Sequence, residues 1–385
     1  MSRPKLPASV WLLGWVSFFT DLASEAIYPL LPLFLTRVLG AGAMSLGIIE
    51  GVAEAANSAL KIVSGRLSDR WNVRKPLVLG GYTLSSFMRP LMAVASTWVH
   101  VLAIRFGDRL GKGIRGAPRD ALLAQISDPA QRGRVFGLQR AMDHAGAVVG
   151  PLIASAFLFY RPEDYRTLFA LTIVPGLIVI GLLALLKEQR GGEDGAPVPE
   201  MSRWKDLPPR LWALLGILTV FTLGNASDAF LLLRLSDIGI GAVWIPILWS
   251  ALHVIKSVSS VLGGARSDRV GRRRMIIAGW VLYAAVYFAF AVIESTPGIV
   301  AVFLAYGMYF GMTEGAERAL IADLSPAGLR GTAFGLYNAA LGIGALFASI
   351  LFGLVWTRVS PDAAFIMGGA LAISAAAMLA LLPRR

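Results

Sequence analysis

The sequence predicts an all-α polytopic membrane protein, with twelve transmembrane helices in two pseudosymmetric six-helix halves. Three observations support this fold class. The 385-residue chain is 56% hydrophobic and only 16% charged, whereas soluble globular domains carry about 25% charged residues. Apolar segments long enough to cross a bilayer occur along the whole chain. Short motifs of the first half also recur, in the same order, in the second half.

Twelve apolar segments, separated by turn-forming or charged clusters, are the predicted spans. The first six are predicted at residues 9–36, 44–66, 76–96, 98–119, 134–159 and 165–186. The second six are predicted at residues 209–234, 241–264, 274–293, 297–322, 331–356 and 362–382. We therefore expect an N-terminal bundle over 1–187, a cytoplasmic linker over 188–208 and a C-terminal bundle over 209–385. The linker contains EQRGGEDGAPVPE, whose Gly, Pro and charged residues are typical of an exposed connection.

The charge distribution predicts the orientation of the chain. The net charge is +12, and the basic residues form clusters such as RLSDRWNVRK after span 2 and ARSDRVGRRR after span 8. By the positive-inside rule these loops, and both termini, are cytoplasmic. We therefore expect a multi-pass protein of the cell inner membrane whose basic residues face lipids rather than nucleic acid. With three His and no Cys, neither a disulfide nor a metal site is expected.

Internal repeats indicate that the two halves are copies. The segment Gly65–Lys75, after span 2, resembles Gly264–Arg274 after span 8, and both contain Ser-Asp-Arg before a basic tail. Further along, RGRVFGLQRA matches RGTAFGLYNA, and the SEA of span 1 matches the SDA of span 7. Two such halves predict a bundle with its binding site between them, near the membrane midplane.

The repeated loop motif resembles that of the major facilitator superfamily of transporters, and the resemblance covers essentially the whole chain. The matching residues are Gly65, Asp69, Arg70 and Arg74 in the first copy, and Gly264, Asp268 and Arg269 in the second. The usual second Gly is Asn72 in the first copy. The resemblance implies a cytoplasmic gate that opens and closes during transport. The alternative is a basic loop that only sets the topology.

A second motif lies in span 5, within GLQRAMDHAGAVVGP. Gly146, Gly150 and Pro151 resemble the motif of the drug:proton antiporter branch of that superfamily, although its final Gly-Gly pair is Ala154-Ser155 here. The resemblance implies a gate of the export type. Close helix packing through small residues is the simpler reading, and both can hold at once.

Charged residues inside the predicted spans are the main clue to mechanism, because a charge at the bilayer centre costs about 2.5–3.5 kcal/mol and needs a cavity or a partner. Span 1 has two carboxylates one helical turn apart in FFTDLASEAIYPLLPLFL. Span 2 has four polar residues on one helix face, Glu50, Glu54, Asn57 and Lys61. Spans 7 and 8 have polar residues at the matching places. Span 4 adds a basic face. The predicted cavity residues are Asp21, Glu25, Glu50, Glu54, Asn57, Arg105, Asp108, Arg109, Lys112, Asp228, His253 and Lys256.

These features predict a secondary active transporter that works by alternating access. The chain has no GxxxxGK[ST] motif for ATP, so we expect a proton gradient as the energy source and no cofactor. Asp21, Glu25 and Glu54 are the expected coupling residues, with Asp228 as their counterpart in the second half. We expect export of a drug-like or amphiphilic small molecule by a monomer. An anionic or zwitterionic metabolite is the alternative cargo, because the interior is unusually basic.

Two other classes of protein fit the sequence less well. A membrane receptor or scaffold would not need paired gate motifs and would carry a sizeable domain outside the membrane. A membrane enzyme is disfavoured because HExxH, GxSxG and a Cys nucleophile are absent. We therefore predict that the protein is not an enzyme.

Overall fold

A computed structural model describes residues 6–71, 74–126, 132–186, 207–325 and 330–383. Only the backbone is described for 62, 65–71, 121, 124–125, 132–134, 136–137, 261–269 and 330–332. Within the described ranges the chain is helical, with no β-strand. The predicted linker therefore lies outside the described residues, apart from its last two.

The structure contains all twelve predicted spans, which confirms the all-helical fold class. Spans 1 to 6 are built from Ala8–Ile27, Ala43–Trp71, Lys75–Met88, Trp98–Ile126, Arg132–Tyr160, and the pair Tyr165–Leu171 and Ile173–Ala184. Spans 7 to 12 are built from the pair Pro209–Gly224 and Ala229–Asp237, then Trp244–Val270, Arg272–Val292, Thr296–Leu324, Arg330–Arg358 and Pro361–Leu381. Several helices, among them spans 2, 4, 8 and 11, extend beyond the predicted apolar segments, because a helix does not end where its apolar residues end.

The interruptions of three spans follow from their sequences. Span 1 continues past Ile27 as a 3-10 turn, a short α-turn and a π-helical turn that ends at Val38, since Pro29 and Pro32 cannot donate the backbone hydrogen bonds of a regular helix. Span 3 likewise ends in the 3-10 turn Arg89–Val94 around a proline. Span 7 is non-helical over residues 225–228, directly after Gly224.

Membrane insertion is supported by the length and apolarity of the helices. Eight segments in the described part of the chain are long and apolar enough to cross a bilayer. They are Ala8–Val38, Leu138–Tyr160, Tyr165–Ala184, Pro209–Asp237, Arg272–Val292, Thr296–Leu324, Ala333–Arg358 and Pro361–Leu381. Spans 2, 4 and 8 carry the charges discussed above, and span 3 has a short α-helix. Large apolar side chains such as Phe159, Tyr160 and Leu185 point away from the protein interior, as lipid-facing residues do.

The described chain forms two compact units. One contains the residues up to Leu31 and those from Ala56 to Leu186, and the other contains Pro32–Ala55 and the residues from Leu207 onward. The division therefore falls inside spans 1 and 2 and not in the linker. As a result, Pro32–Ala55 belongs to the first sequence repeat but packs within the second unit. The domain boundaries drawn from the sequence stay a prediction.

Each unit is held by helix pairs that run side by side. In the first unit span 1 packs along span 5, and span 3 along span 4. In the second unit span 8 packs along span 10, and span 9 along span 12. Buried apolar residues such as Leu13, Val16, Val78, Tyr82 and Leu183 form a core in the first unit. These pairs fix the positions of the charged residues described next.

Candidate functional site

The two carboxylates of span 1 lie on a regular helix, Ala8–Ile27, and both are partly buried. Asp21 is within electrostatic range of Lys112 and Arg115 on span 4, of Asp143 on span 5, and of Glu25 on its own helix. The structure thus brings two of the predicted carboxylates together with the predicted Lys112. Cations and carboxylates facing one another inside a bundle can exchange partners when one carboxylate takes up a proton.

A buried cluster of charges connects spans 1, 3 and 4. Arg89 donates from Nε to Oδ1 of Asp108 at 3.0 Å and from Nη1 to the carbonyl oxygen of Thr20 at 3.0 Å. Nη1 of Arg105 lies 4.0 Å from Oδ2 of Asp108, and its guanidinium lies over the Tyr28 ring, 5.5 Å from the ring centroid. Arg89, Arg105 and Asp108 are each no more than 6% exposed. Arg109 is also within electrostatic range of Asp108.

A small pocket opens beside this cluster. Its lining consists of Ser24, Ile27, Arg89, Met92, Ile104, Arg105 and Asp108. The lining therefore carries two cations and one carboxylate, among apolar side chains. Arg115 is buried farther along span 4, where it donates to Oγ of Ser85 at 2.6 Å and lies 4.3 Å from the centroid of the Tyr82 ring. The buried arginines of this unit are thus stabilised by aromatic faces and hydroxyl groups as well as by a carboxylate.

The second unit contains a different arrangement around Asp228. Nζ of Lys256 lies 3.0 Å from Oδ2 of Asp228, and the Tyr306 hydroxyl donates to Oδ1 at 2.6 Å. The Lys256 ammonium is also 3.7 Å from the centroid of Phe310 and 5.1 Å from that of Trp249. The pair is partly buried, with side chains 14% and 19% exposed. A carboxylate and aromatic faces together form the kind of site that binds an organic cation.

Asp228 owes its position to the interruption of span 7. The helix ends at Gly224, and Asp228 immediately precedes the next helix, Ala229–Asp237. Tyr283 donates to the carbonyl oxygen of Gly224 at 3.0 Å and to Oδ1 of Asn225 at 3.2 Å. The first of these bonds satisfies a backbone carbonyl oxygen that a continuous helix would have paired internally, and the second fixes the Asn225 side chain. Broken helices of this type place polar groups at binding sites inside membrane bundles.

The polar face of span 2 divides between the two units. Glu50 is buried within the second unit and accepts a hydrogen bond from Oγ of Ser227 at 3.2 Å. Glu54 is partly buried in the same unit, whereas Asn57 is buried in the first. The three residues lie on one helix as predicted. His253 on span 8 packs edge-on against Trp249, with ring centroids 5.0 Å apart.

The glycines of span 5 mark a close approach between spans 1 and 5. A Cβ atom on Gly146 would lie 2.3 Å from the carbonyl oxygen of Phe18, and one on Gly150 would lie 2.3 Å from that of Leu22. Pro151 follows inside the helix, which continues to Tyr160. The geometry accounts for these glycines by close packing, and their gating role stays a prediction.

The loop motifs fall largely outside the part of the chain whose side chains are described. Gly65, Asp69 and Arg70 lie in the helix Ala43–Trp71, and Gly264, Asp268 and Arg269 lie in the helix Trp244–Val270. Their surroundings are outside the description. Arg74 is described, and it precedes the first residue of span 3. The predicted role of these residues in gating is therefore untested.

The sequence does not reveal the partners within the two sites. Arg89 is a polar residue of an apolar span, and the structure shows that it is the direct partner of Asp108. For Tyr306 the sequence leaves substrate contact and a place at the membrane interface equally open, and Ser227 gives no signal of its own. The SEA–SDA match did indicate the region of Ser227. Among the described residues no group of three or more His, Asp or Glu could hold a metal ion.

Comparison with known proteins identifies the family. The model of the Major Facilitator Superfamily matches residues 13–316 and 236–385 in two overlapping alignments. The chain belongs to the major facilitator superfamily. An uncharacterized MFS-type transporter of Methanocaldococcus jannaschii is 32% identical over 381 residues, which cover 97% of this chain and 95% of that protein. These relatives are transporters and not enzymes, so the predictions of family and of a non-enzymatic function are confirmed.

Two further similarities describe the fold and part of the sequence. This MFS chain superimposes on a bacterial homologue of the human lysosomal transporter Spinster, in an inward-facing conformation, with a TM-score of 0.76 and 16% identity over 99% of this chain and 96% of that one. At this identity the likeness concerns the fold alone. The multidrug resistance protein MdtH of Yersinia pestis is 33% identical over 135 residues, which cover 35% of this chain and 33% of MdtH.

Proposed function

We propose that this MFS transporter exports a drug-like or amphiphilic small molecule across the inner membrane in exchange for protons. The pair formed by Asp228 and Lys256 is the observation that carries the proposal. An ionised carboxylate next to an ammonium group, partly shielded from water, holds its partner only while it remains charged. Protonation of Asp228 releases Lys256, and departure of the proton restores the pair. Such a switch couples proton movement to rearrangement of the site.

The other carboxylates of the proposed coupling set are divided between the two units. Asp21 is within electrostatic range of Lys112 and Arg115 on span 4, so protonation of Asp21 removes a negative charge near these two cations. Glu25 lies one turn farther along the same helix, and Glu54 belongs to the other unit. In this proposal the proton gradient is the energy source, the protein acts as a monomer without a cofactor, and both termini are cytoplasmic.

Two features support outward transport of an amphiphilic molecule. The span-5 motif resembles that of drug:proton antiporters, and the partial relative MdtH is named a multidrug resistance protein. The Lys256 site adds a chemical reason, because Trp249, Tyr306 and Phe310 surround an ammonium group that also contacts a carboxylate. A cationic amphiphile has the same chemistry as the lysine side chain, and it can replace Lys256 against these groups.

The direct test is transport in proteoliposomes with an imposed pH gradient and a fluorescent cationic dye as the probe. We expect Asp228→Asn to abolish gradient-driven flux of the dye. Asp362→Asn is the matched control, because Asp362 forms a 2.8 Å ion pair with Arg234 in the same unit but is 49% exposed. The control variant is expected to keep its flux. Gradient-driven flux that survives both Asp228→Asn and the double change Glu25→Gln with Glu54→Gln excludes these three carboxylates as the coupling residues.

An anionic or zwitterionic cargo is the second candidate, and the pocket of the first unit favours it. Two buried arginines and one buried aspartate line that pocket, and a further buried arginine, Arg115, lies on the same span. A carboxylate or phosphate would bind guanidinium groups through paired hydrogen bonds. A competition experiment on the purified protein in detergent, with cationic dyes against organic anions, decides between the two candidates.

A further inference from the structure

A buried carboxylate outside the predicted coupling set lies in the second unit. Glu317, on span 10, is 8% exposed. Its Oε1 atom accepts a hydrogen bond from Nε1 of Trp280 on span 9 at 3.0 Å, and its Oε2 atom accepts one from the Tyr337 hydroxyl on span 11 at 3.1 Å. Three helices therefore converge on one acidic side chain in the interior of the bundle.

The walls around Glu317 are aromatic. The Trp280 ring stacks on Phe221 of span 7, with centroids 4.6 Å apart and planes inclined by 8°. Trp280 and Tyr337 are themselves buried. Neither hydrogen-bond donor carries a charge, so the carboxylate is solvated by two neutral groups in an apolar shell.

The charged and titratable groups near Glu317 do not provide a direct counterion. Glu314 and Arg318, on the same helix, have opposite electrostatic effects on the Glu317 carboxyl group. They also form an exposed ion pair with each other at 3.3 Å. Tyr337 faces it from span 11, and Tyr309 faces it from one side of its own helix. In the described residues no Lys, Arg or His lies within ion-pair distance of Glu317.

The hydrogen bonds around Glu317 can be kept in either protonation state. In the ionised form both oxygens accept, as the structure shows. In the neutral form Oε1 can still accept from Trp280, while a proton on Oε2 is donated to the Tyr337 oxygen, because a hydroxyl group both donates and accepts. Only the hydroxyl hydrogen of Tyr337 has to turn. Since an ionised carboxylate buried without a cation is costly, a site that accommodates both forms is suited to bind and release a proton.

The first half of the sequence has no carboxylate and tyrosine at the positions that match Glu317 and Tyr337. In the register that aligns RGRVFGLQRA with RGTAFGLYNA, Arg119 stands in the first half at the position of Glu317, and Gln139 stands at the position of Tyr337. At this position the first half therefore has a basic side chain, Arg119, where the second half has an acidic one, Glu317. Glu317 also lies roughly 10 Å from the end of span 10 at Leu324, given the rise of a helix.

We propose that Glu317 is a reversible proton-binding site of the second six-helix half, held by Trp280 and Tyr337 and separate from the carboxylates of spans 1, 2 and 7. One proton from water forms the O–H bond on Oε2, and its loss returns the carboxylate. No other reactant is required. The site is a property of the folded protein and does not depend on which molecule is transported or in which direction.

Infrared difference spectroscopy tests the site directly. The full-length protein in lipid is brought from about pH 9 to about pH 5, a range in which buried carboxyl groups titrate, and the C=O stretching bands of neutral carboxylic acids are recorded. We expect one band of the wild-type protein to be absent from Glu317→Gln and present in Glu314→Gln, which removes an exposed carboxylate three residues away. Identical bands in all three proteins would overturn the proposal.

A second variant keeps the test decisive if Glu317→Gln does not fold. Tyr337→Phe removes only one hydroxyl group and leaves the carboxyl in place. The same band is then expected to move to higher frequency, because its carboxyl group has lost a hydrogen-bond partner. A band that Tyr337→Phe leaves unmoved belongs to another residue and overturns the assignment. Neither measurement uses transport, so a failure of the proposed antiport leaves this result intact, and the reverse holds too.

Discussion

At the scale of single residues, the charges inside the spans are held by specific partners and are not spread over a polar surface. Arg89 links three spans. It lies at the end of span 3, and it donates hydrogen bonds to Asp108 on span 4 and to a backbone carbonyl oxygen on span 1. All of these groups are buried. Loss of one partner therefore leaves another charge in an apolar interior, which costs more than the loss of an exposed ion pair.

We predict that Arg89→Met lowers the free energy of unfolding by about 3–5 kcal/mol, the usual cost of removing one member of a buried ion pair. The measurement is thermal or denaturant unfolding of the purified protein in detergent. The double variant Arg89→Met with Asp108→Asn should be less destabilised than the two single changes added together.

Arg318→Met provides the comparison for this prediction. Arg318 is 53% exposed and pairs with Glu314 one turn away, and exposed pairs of this kind contribute about 0–1 kcal/mol. Equal destabilisation by Arg318→Met and Arg89→Met would mean that burial of the Arg89 cluster has no energetic consequence.

At the scale of helices, small residues determine how closely spans 1 and 5 approach. The carbonyl oxygens of Phe18 and Leu22 occupy the space that a side chain on Gly146 or Gly150 would need. Because Asp21 lies between Phe18 and Leu22 on span 1, the same contact sets the position of Asp21 relative to Asp143 on span 5. Packing and electrostatics are thus linked through two glycines.

We predict that Gly150→Leu forces span 1 away from span 5 and lowers stability by about 1–3 kcal/mol, as overpacking of a close contact does. Transport should fall as well, because Asp21 moves with span 1. Gly181→Leu is the matched control, since nothing lies within 4 Å of a Cβ atom at that position in span 6 of the same unit. The melting temperatures of both variants in detergent are the measurement, and a stable Gly150→Leu protein would contradict the packing argument.

The elements were readable from the sequence, whereas the partners of the charges were not. Apolar segments bounded by turn-forming or charged clusters predicted every span, because a span must match the thickness of the bilayer. The interruption of span 7 was not expected, although Gly224 and Asn225 are weak helix formers, because tertiary hydrogen bonds from Tyr283 stabilise it. Glu317 lies in TEGAER, which in the sequence resembles the charged end of a helix. Only the packing of spans 9 and 11 around it reveals a buried acid.

At the scale of the whole molecule, the sequence repeat and the compact units divide the chain differently. Residues 32–55 come from the first repeat, yet they pack with the second unit through closely spaced backbones. A Cβ atom on Gly47 would lie 2.3 Å from the carbonyl oxygen of Ser349, and one on Gly353 would lie 2.8 Å from that of Ala43. In the proposed alternating-access mechanism the two repeats move relative to each other, and this packing would then have to separate.

We predict that Gly47→Leu shifts the protein toward the separated state. The added side chain cannot be seated against Ser349, and a penalty of about 1.4 kcal/mol changes a two-state ratio tenfold. The natural chain has no cysteine, so Ala43→Cys gives a single thiol at a position that is 6% exposed in the packed state. Its maleimide labelling should be roughly tenfold faster in the Gly47→Leu background. Gly42→Leu is the control, because nothing lies within 4 Å of a Cβ atom there, and it should leave the labelling rate unchanged. Equal labelling rates in the Gly47→Leu and Gly42→Leu backgrounds would mean that this packing does not hold the repeats together.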